Sequence, residues 1–280
     1  MGKFKFIHTP MVCCVIGSGN HSNRLFQNLH YEAFCKENNI QYINPSFFNM
    51  HRYYLEPCKL FIGIKGLLFT NRIMAKILNR CKLVKLIKFD EETGLEKMRK
   101  SDLLSLSFLN NVYVSDWYFK AYDLTKKYQD EFICKYQLKQ KYYVDNLLYK
   151  IIIDYKKNKD IFIVGVHIRR GDYKFWQDGK YYFSDDIYLK YIDGINNMLK
   201  HKCVFVIFSN ENICIKKEKK FFHSKNKWYV DHFLMSKCDM LIGPPSTFTL
   251  WASYMGKVKY FHIKDDSGKI HLDDFKYCTG

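Results

Sequence analysis

The sequence predicts an α/β protein with a parallel sheet at its centre. Three observations carry that prediction. Short apolar runs recur through the second half, at Ile161–Ile168, Cys203–Phe208, Met240–Ile242 and Val258–Ile263. Stretches with helical character separate them. Apolar runs that do not alternate with polar residues suit strands buried on both faces, and strands spaced by helices suit a doubly wound sheet.

The first half opens with a strand over Val12–Ile16, then a Gly/Asn-rich turn. A helix follows, because Leu25, Leu29, Ala33 and Phe34 recur at helical spacing with Phe26 alongside. Lys3 and Lys5 before an apolar run mimic a leader segment, but His8 and Pro10 interrupt it. No run reaches the ~20 apolar residues of a spanning helix, so a soluble or peripherally bound cytoplasmic protein is expected.

Residues 71–89 predict a basic amphipathic helix, with Ile73, Ile77, Leu78, Cys81 and Val84 on one stripe. Such a helix either packs on the core or lies on the anionic inner face of a membrane. Helical segments are expected between about 118 and 155. Further helices are expected after Ser184, before Trp228 and over Thr247–Tyr254. A boundary near Lys157 then divides the chain into domains 1–157 and 158–280.

The chain has 280 residues, 48% of them apolar, so it can bury a large core. A net charge of +17 favours anionic partners. Ten scattered cysteines without a Cys-x-x-Cys pair read as core thiols in a reducing compartment, not as a metal or redox site. P-loop and His-Glu-x-x-His motifs are absent.

Ligands of open α/β sheets bind beyond the carboxyl ends of strands, and three segments put polar groups there. In "VGVHIRRGD" a buried strand delivers His167, Arg169 and Arg170 to its end, and Gly171 permits a sharp turn. Guanidinium groups match phosphate oxygens two bonds at a time. Alternation puts His167 and Arg169 on one face and Arg170 on the other. One arginine is therefore expected to grip a ligand while the other braces the loop, with Asp172 as a partner. In "VFVIFSNEN" a strand ends in Ser209 and Asn210, groups able to bond a base or ribose. In "DMLIGPPSTFTLW" Ser246 caps a helix whose first turn and dipole favour an anion.

Together these segments resemble the α-1,2-fucosyltransferase family, glycosyltransferase family 11, a relative of the α-1,6- and protein O-fucosyltransferases. The first family motif is similar to His167-Ile168-Arg169-Arg170-Gly171-Asp172-Tyr173, and the second to Phe208-Ser209-Asn210. The third resembles the run from Asp231 through Ser236, Asp239, Ser246, Thr247 and Phe248 to Trp251 and Ala252. "SNRLFQNL" is similar to the family's N-terminal turn, which brings in Asn23.

The resemblance implies a GT-B-like fold of two Rossmann-like domains facing a cleft, the C-terminal one binding the nucleotide sugar. It implies an inverting transfer of fucose from GDP-fucose to a glycan hydroxyl, galactose O2, in surface polysaccharide or lipopolysaccharide synthesis. Donor and glycan acceptor are the expected partners, with no cofactor. The expected site comprises Arg169 and Asp172 as catalytic residues. His167, Arg170, Ser209, Asn210, Asp239, Ser246, Thr247, Phe248 and Asn23 are the expected binding residues. Asp-x-Asp, the usual holder of a divalent ion in sugar transfer, is absent, so metal-independent activity is expected. Asp178 is a second candidate base, although Asp178-Gly179 also reads as a hairpin turn. Two rival readings stay open: a transferase using another GDP-sugar, and a basic nucleic-acid-binding protein.

Overall fold

A computed structural model describes residues 11–14, 19–47, 49–54, 76–77, 79–82, 85–87, 112–114, 117–199, 201–211, 213, 215 and 221–280. The chain divides into two compact units, one running to Tyr136 and taking in Gly280, the other Gln137–Thr279.

In the first unit, β1 (Met11–Cys14), β2 (Gln41–Ile43), β3 (Lys85–Ile87) and β4 (Val112–Val114) form a parallel sheet in the order β2-β1-β4-β3. The helix α1 (His21–Glu37) buries Leu25, Phe26, Leu29, Ala33 and Phe34, the positions its period marks. Tyr31 of α1 stacks on Phe119 at 4.7 Å. Two short helices follow, α2 (Tyr122–Lys127) and α3 (Gln129–Lys135).

The expected helix over 71–89 is corrected at its end. Lys85–Ile87 is the strand β3, because Val112–Val114 offers a parallel backbone ladder that outweighs the local helical period. Ile77, expected on the buried stripe, is exposed. Much of that stretch, like Ile16 and residues 1–10, lies outside the described residues.

The second unit begins with α4 (Leu147–Lys156), capped by the Asn146 side chain, which accepts from the Tyr149 amide at 3.0 Å. It packs on the strand β5 (Ile161–Ile168), so α4 belongs to this unit although it precedes Lys157. Then come α5 (Asp185–Met198), β6 (Lys202–Ser209), β7 (Phe221–His223), α6 (Trp228–Met235), β8 (Met240–Gly243), α7 (Thr247–Gly256) and β9 (Lys259–His262). All five strands are parallel, in the order β7-β6-β5-β8-β9. The helix expected before Trp228 is replaced by β7. Its aromatic residues extend the sheet from β6, Phe221 stacking on Phe205 at 5.4 Å, and α6 starts only at Trp228.

Val164, Val166 and Ile168 of β5 face α5 and meet Tyr188, Tyr191, Ile192 and Ile195 in one apolar core. The odd-numbered residues of β5 take the opposite face, toward α6 and α7. Among the described residues no helix is long and apolar enough to cross a membrane.

Candidate functional site

In the second unit the chain winds one way from β5 through β6 to β7, then returns to β5's other side for β8 and β9. The point of reversal lies between β5 and β8, where the connections leaving the carboxyl ends run to opposite faces of the sheet and leave a crevice. A cavity of ≈ 240 Å³ opens at this edge, lined by His167, Arg169, Phe208, Ser209, Asn210, Asn226, Lys227, Trp228, Asp231 and Phe248.

His167 is buried, its Nδ1 3.0 Å from the Thr249 hydroxyl and its ring 5.0 Å from Phe248. Burial first, then the charges of Arg169 and His262, push its pKa down to about 3, so it is a neutral hydrogen-bonding group. Gly243 of β8 makes this approach possible. A Cβ there would sit 2.6 Å from the His167 carbonyl oxygen and 2.9 Å from its Cβ.

Arg169 follows on the same face. Its Nη2 donates to both carboxylate oxygens of Asp172, at 2.8 and 3.0 Å, and its Cζ lies 5.6 Å from the centre of the Tyr173 ring. Both bonds leave from one nitrogen, so Nη1 and Nε are available to an anion in the cavity. Asp172 is thereby a partner that orients Arg169, and its carboxylate is already engaged by a cation.

Arg170 turns to the other face. Its guanidinium donates to the Phe183 carbonyl and to the Asp185 carboxylate of α5, and it lies over the rings of Tyr182 and Tyr188. Alternation along the extended backbone separates it from the cavity, so it braces the loop and does not line the site as expected. Its amide donates to the Asn210 side chain at 3.0 Å, tying the end of β5 to the end of β6. Gly171 between them has φ +60, a left-handed turn that favours glycine, and Asn210 leaves little room for a side chain there.

Ser246 caps α7, its hydroxyl accepting from the Phe248 amide at 3.2 Å. The buried Tyr173 hydroxyl donates to the Pro245 carbonyl, locking the loop after β5 to the start of α7. Arg169 and the positive end of a helix dipole therefore converge on one crevice. Ser209, Asn210 and Phe248 line it, and Ser246 and Thr247 immediately precede Phe248 at the start of α7.

Two further expected residues lie elsewhere. Asp239 accepts from the Ile163 amide at 2.9 Å and pairs with Lys156 at 3.0 Å. It precedes the first residue of β8, so it sits at the amino end of the sheet, opposite the cavity. Asn23 lies in the first turn of α1, in the other unit. The hairpin expected at Asp178-Gly179 is also absent. Gln177 and Asp178 form a left-handed turn (φ 49 and 56) inside a short helical loop without flanking strands.

Asp231 falls within the third motif but is not among the expected site residues. It is buried at the cavity wall, accepting from Ser224, which in turn accepts from the Asn226 side chain at 2.8 Å. Burial pushes its pKa up to about 7 despite hydrogen bonds from Ser224 and Asn226 that oppose the shift. The signal for it was an aspartate within the apolar run "WYVDHFLM", since a carboxylate is rarely buried without a task. Trp228, Asn226 and Lys227 also gave no pattern of their own.

Comparison with known proteins follows the same lines. The model of glycosyl transferase family 11 matches residues 47–265. No curated protein matches the chain. Among solved structures it is similar to a point mutant of Arabidopsis thaliana FUT1 in complex with GDP. The TM-score is 0.59 at 8% identity, over 96% of this chain and 73% of that one. It is also similar to the fucosyltransferase NodZ from Bradyrhizobium, with TM-score 0.55 and 12% identity over 92% and 96% of the two chains. NodZ α-1,6-fucosyltransferase soaked with GDP-fucose matches at TM-score 0.53 and 12% identity, over 96% and 97%. The α/β, GT-B-like fold is shared with these enzymes.

Proposed function

Because this chain belongs to glycosyl transferase family 11, we propose that it moves fucose from GDP-fucose to a glycan hydroxyl, galactose O2 of a surface polysaccharide or lipopolysaccharide. The observation that carries the reading is the convergence of Arg169, the Ser246-capped start of α7 and Asp231 on one cavity. Similar folds that hold GDP or GDP-fucose support a guanine nucleotide sugar as donor.

In an inverting transfer the acceptor oxygen bonds to C1 of the sugar as the C1–O bond to the diphosphate breaks. The electron pair leaves on the diphosphate, and the acceptor proton passes to a base or to water. Arg169 and the first turn of α7 face that growing negative charge with dipoles already oriented, which is where most catalysis of this kind arises. Ionised Asp231 accepts from two adjacent donors, and guanine presents N1–H beside its exocyclic amine. Uracil offers a single N–H between two carbonyls and does not match.

We further propose that the enzyme works without a metal ion at the cytoplasmic face of a membrane. The missing Asp-x-Asp supports the first point. Among the described residues no three His, Cys, Asp or Glu side chains converge either. The +17 charge supports the second.

Thermal-shift measurement against GDP-, UDP- and CMP-sugars, followed by a transfer assay with EDTA, tests this reading. A donor at 100 times its Kd adds about 2.7 kcal/mol of stability. GDP-fucose should stabilise the protein, UDP- and CMP-sugars should not, and EDTA should leave turnover unchanged. Stabilisation by another GDP-sugar alone would replace the donor, and loss of turnover in EDTA would refute metal independence.

A further inference from the structure

The loop between β5 and α5 carries more aromatic surface than its packing requires. Phe175 is 79% exposed, and Trp176 and Tyr182 are about half as exposed, at 40% and 41%. Of these rings, Trp176 continues a ladder that begins beside Arg169. Tyr173, beside Arg169, meets Trp176 at 4.8 Å, and Trp176 meets Tyr181 at 5.5 Å.

The backbone holds this display in place at a cost. Gln177 and Asp178 are consecutive non-glycine residues in the left-handed region, a conformation that side chains rarely adopt. Amides of Lys180 and Tyr182 close the turn onto Gln177 and Gly179. A loop that only had to cover the core would turn Phe175 inward, whereas here the rings face solvent.

We infer that Phe175 and Trp176 form a stacking platform for the acceptor, a β-galactoside, in continuity with the donor crevice through Tyr173. The inference rests on the function proposed above. Galactopyranose suits the surface because its axial O4 leaves C3–H, C4–H and C5–H together on one face, an apolar patch the size of an aromatic ring. Lys174 lies 5.9 Å from the Phe175 ring centre, and Asp172, Asp178 and Lys180 neighbour the rings in the chain, so the loop carries both donors and acceptors for the hydroxyls around that patch. Their mixed signs make the loop a poor ligand for an anionic bilayer, which attracts runs of like positive charge.

Saturation-transfer NMR on the full chain saturated with GDP, with lactose as probe, tests the platform. Irradiating aromatic protons should mark the galactose H3, H4 and H5 signals in the wild type. Phe175→Ala and Trp176→Ala should each lose most of that transfer, Trp176→Phe should keep it, and GDP affinity should stay within about twofold throughout. Equal transfer in the alanine variants, or none in the wild type, overturns the platform while leaving the donor reading intact. Failure of GDP to bind the wild type strikes the functional reading itself. Sedimentation with phosphatidylglycerol vesicles that is lost in Phe175→Ala would assign the rings to a membrane and overturn the acceptor role.

Discussion

Arg169 and Arg170 are adjacent in the chain and serve opposite faces of one sheet. Arg169 is oriented by Asp172 with part of its fork open to the cavity, while Arg170 is held by Asp185 and the Phe183 carbonyl. Arg169→Ala should therefore cost on the order of 2–4 kcal/mol of transition-state stabilisation, or ~30- to 1000-fold in kcat/KM, in a protein that remains folded. Near-wild-type turnover would remove Arg169 from the mechanism. Asp231 yields a pH prediction. Its folded pKa of about 7 lies above the ordinary value near 4 of an unfolded chain. The stability it contributes is thus fully present below about pH 4 and is lost as pH rises through 7. Thermal denaturation from pH 5 to 8 should show the wild type losing stability relative to Asp231→Asn, by on the order of 2–3 kcal/mol. GDP should move the other way, binding more tightly to the wild type as the carboxylate ionises above pH 7. A pH-independent GDP affinity would argue against Asp231 as the base-reading group.

At the scale of elements, the site depends on how closely β5 and β8 approach. Gly243 pairs with His262 of β9 on one side and leaves no room for a side chain beside His167 on the other. Gly243→Ala should cost about 1–3 kcal/mol through overpacking. It should also weaken GDP binding, because the displaced group is His167 at the cavity wall. Unchanged melting and GDP affinity would show that β5 yields easily. β5 itself was legible because an eight-residue apolar run has few other homes in an α/β chain. β7 was not, since three residues have no measurable period and become a strand only when β6 supplies hydrogen-bond partners. The same holds for β3, where a lysine-rich stretch with helical spacing pairs with β4 instead.

Across the whole molecule, the expected fold class agrees with the structure: parallel sheets with helices, in two units. The units divide at Tyr136, ahead of the expected Lys157, because α4 packs on β5. The +17 charge is a property of the whole chain and selects anionic partners in general. It does not select among them, and the cavity does. The strand that ends in His167-Ile168-Arg169-Arg170, the turn that needs Gly171 and the Ser246-capped helix all follow from the residues alone. Each of these is written in a local run of residues with its own periodicity or cap. Packing between distant segments decided which of two adjacent arginines reaches the cavity. It also decided that Asp239 lies at the far end of the sheet, and that Asp231 stands at the wall. Those outcomes depend on which face and which end of a sheet a residue occupies, and that is set by pairings between strands far apart in the chain.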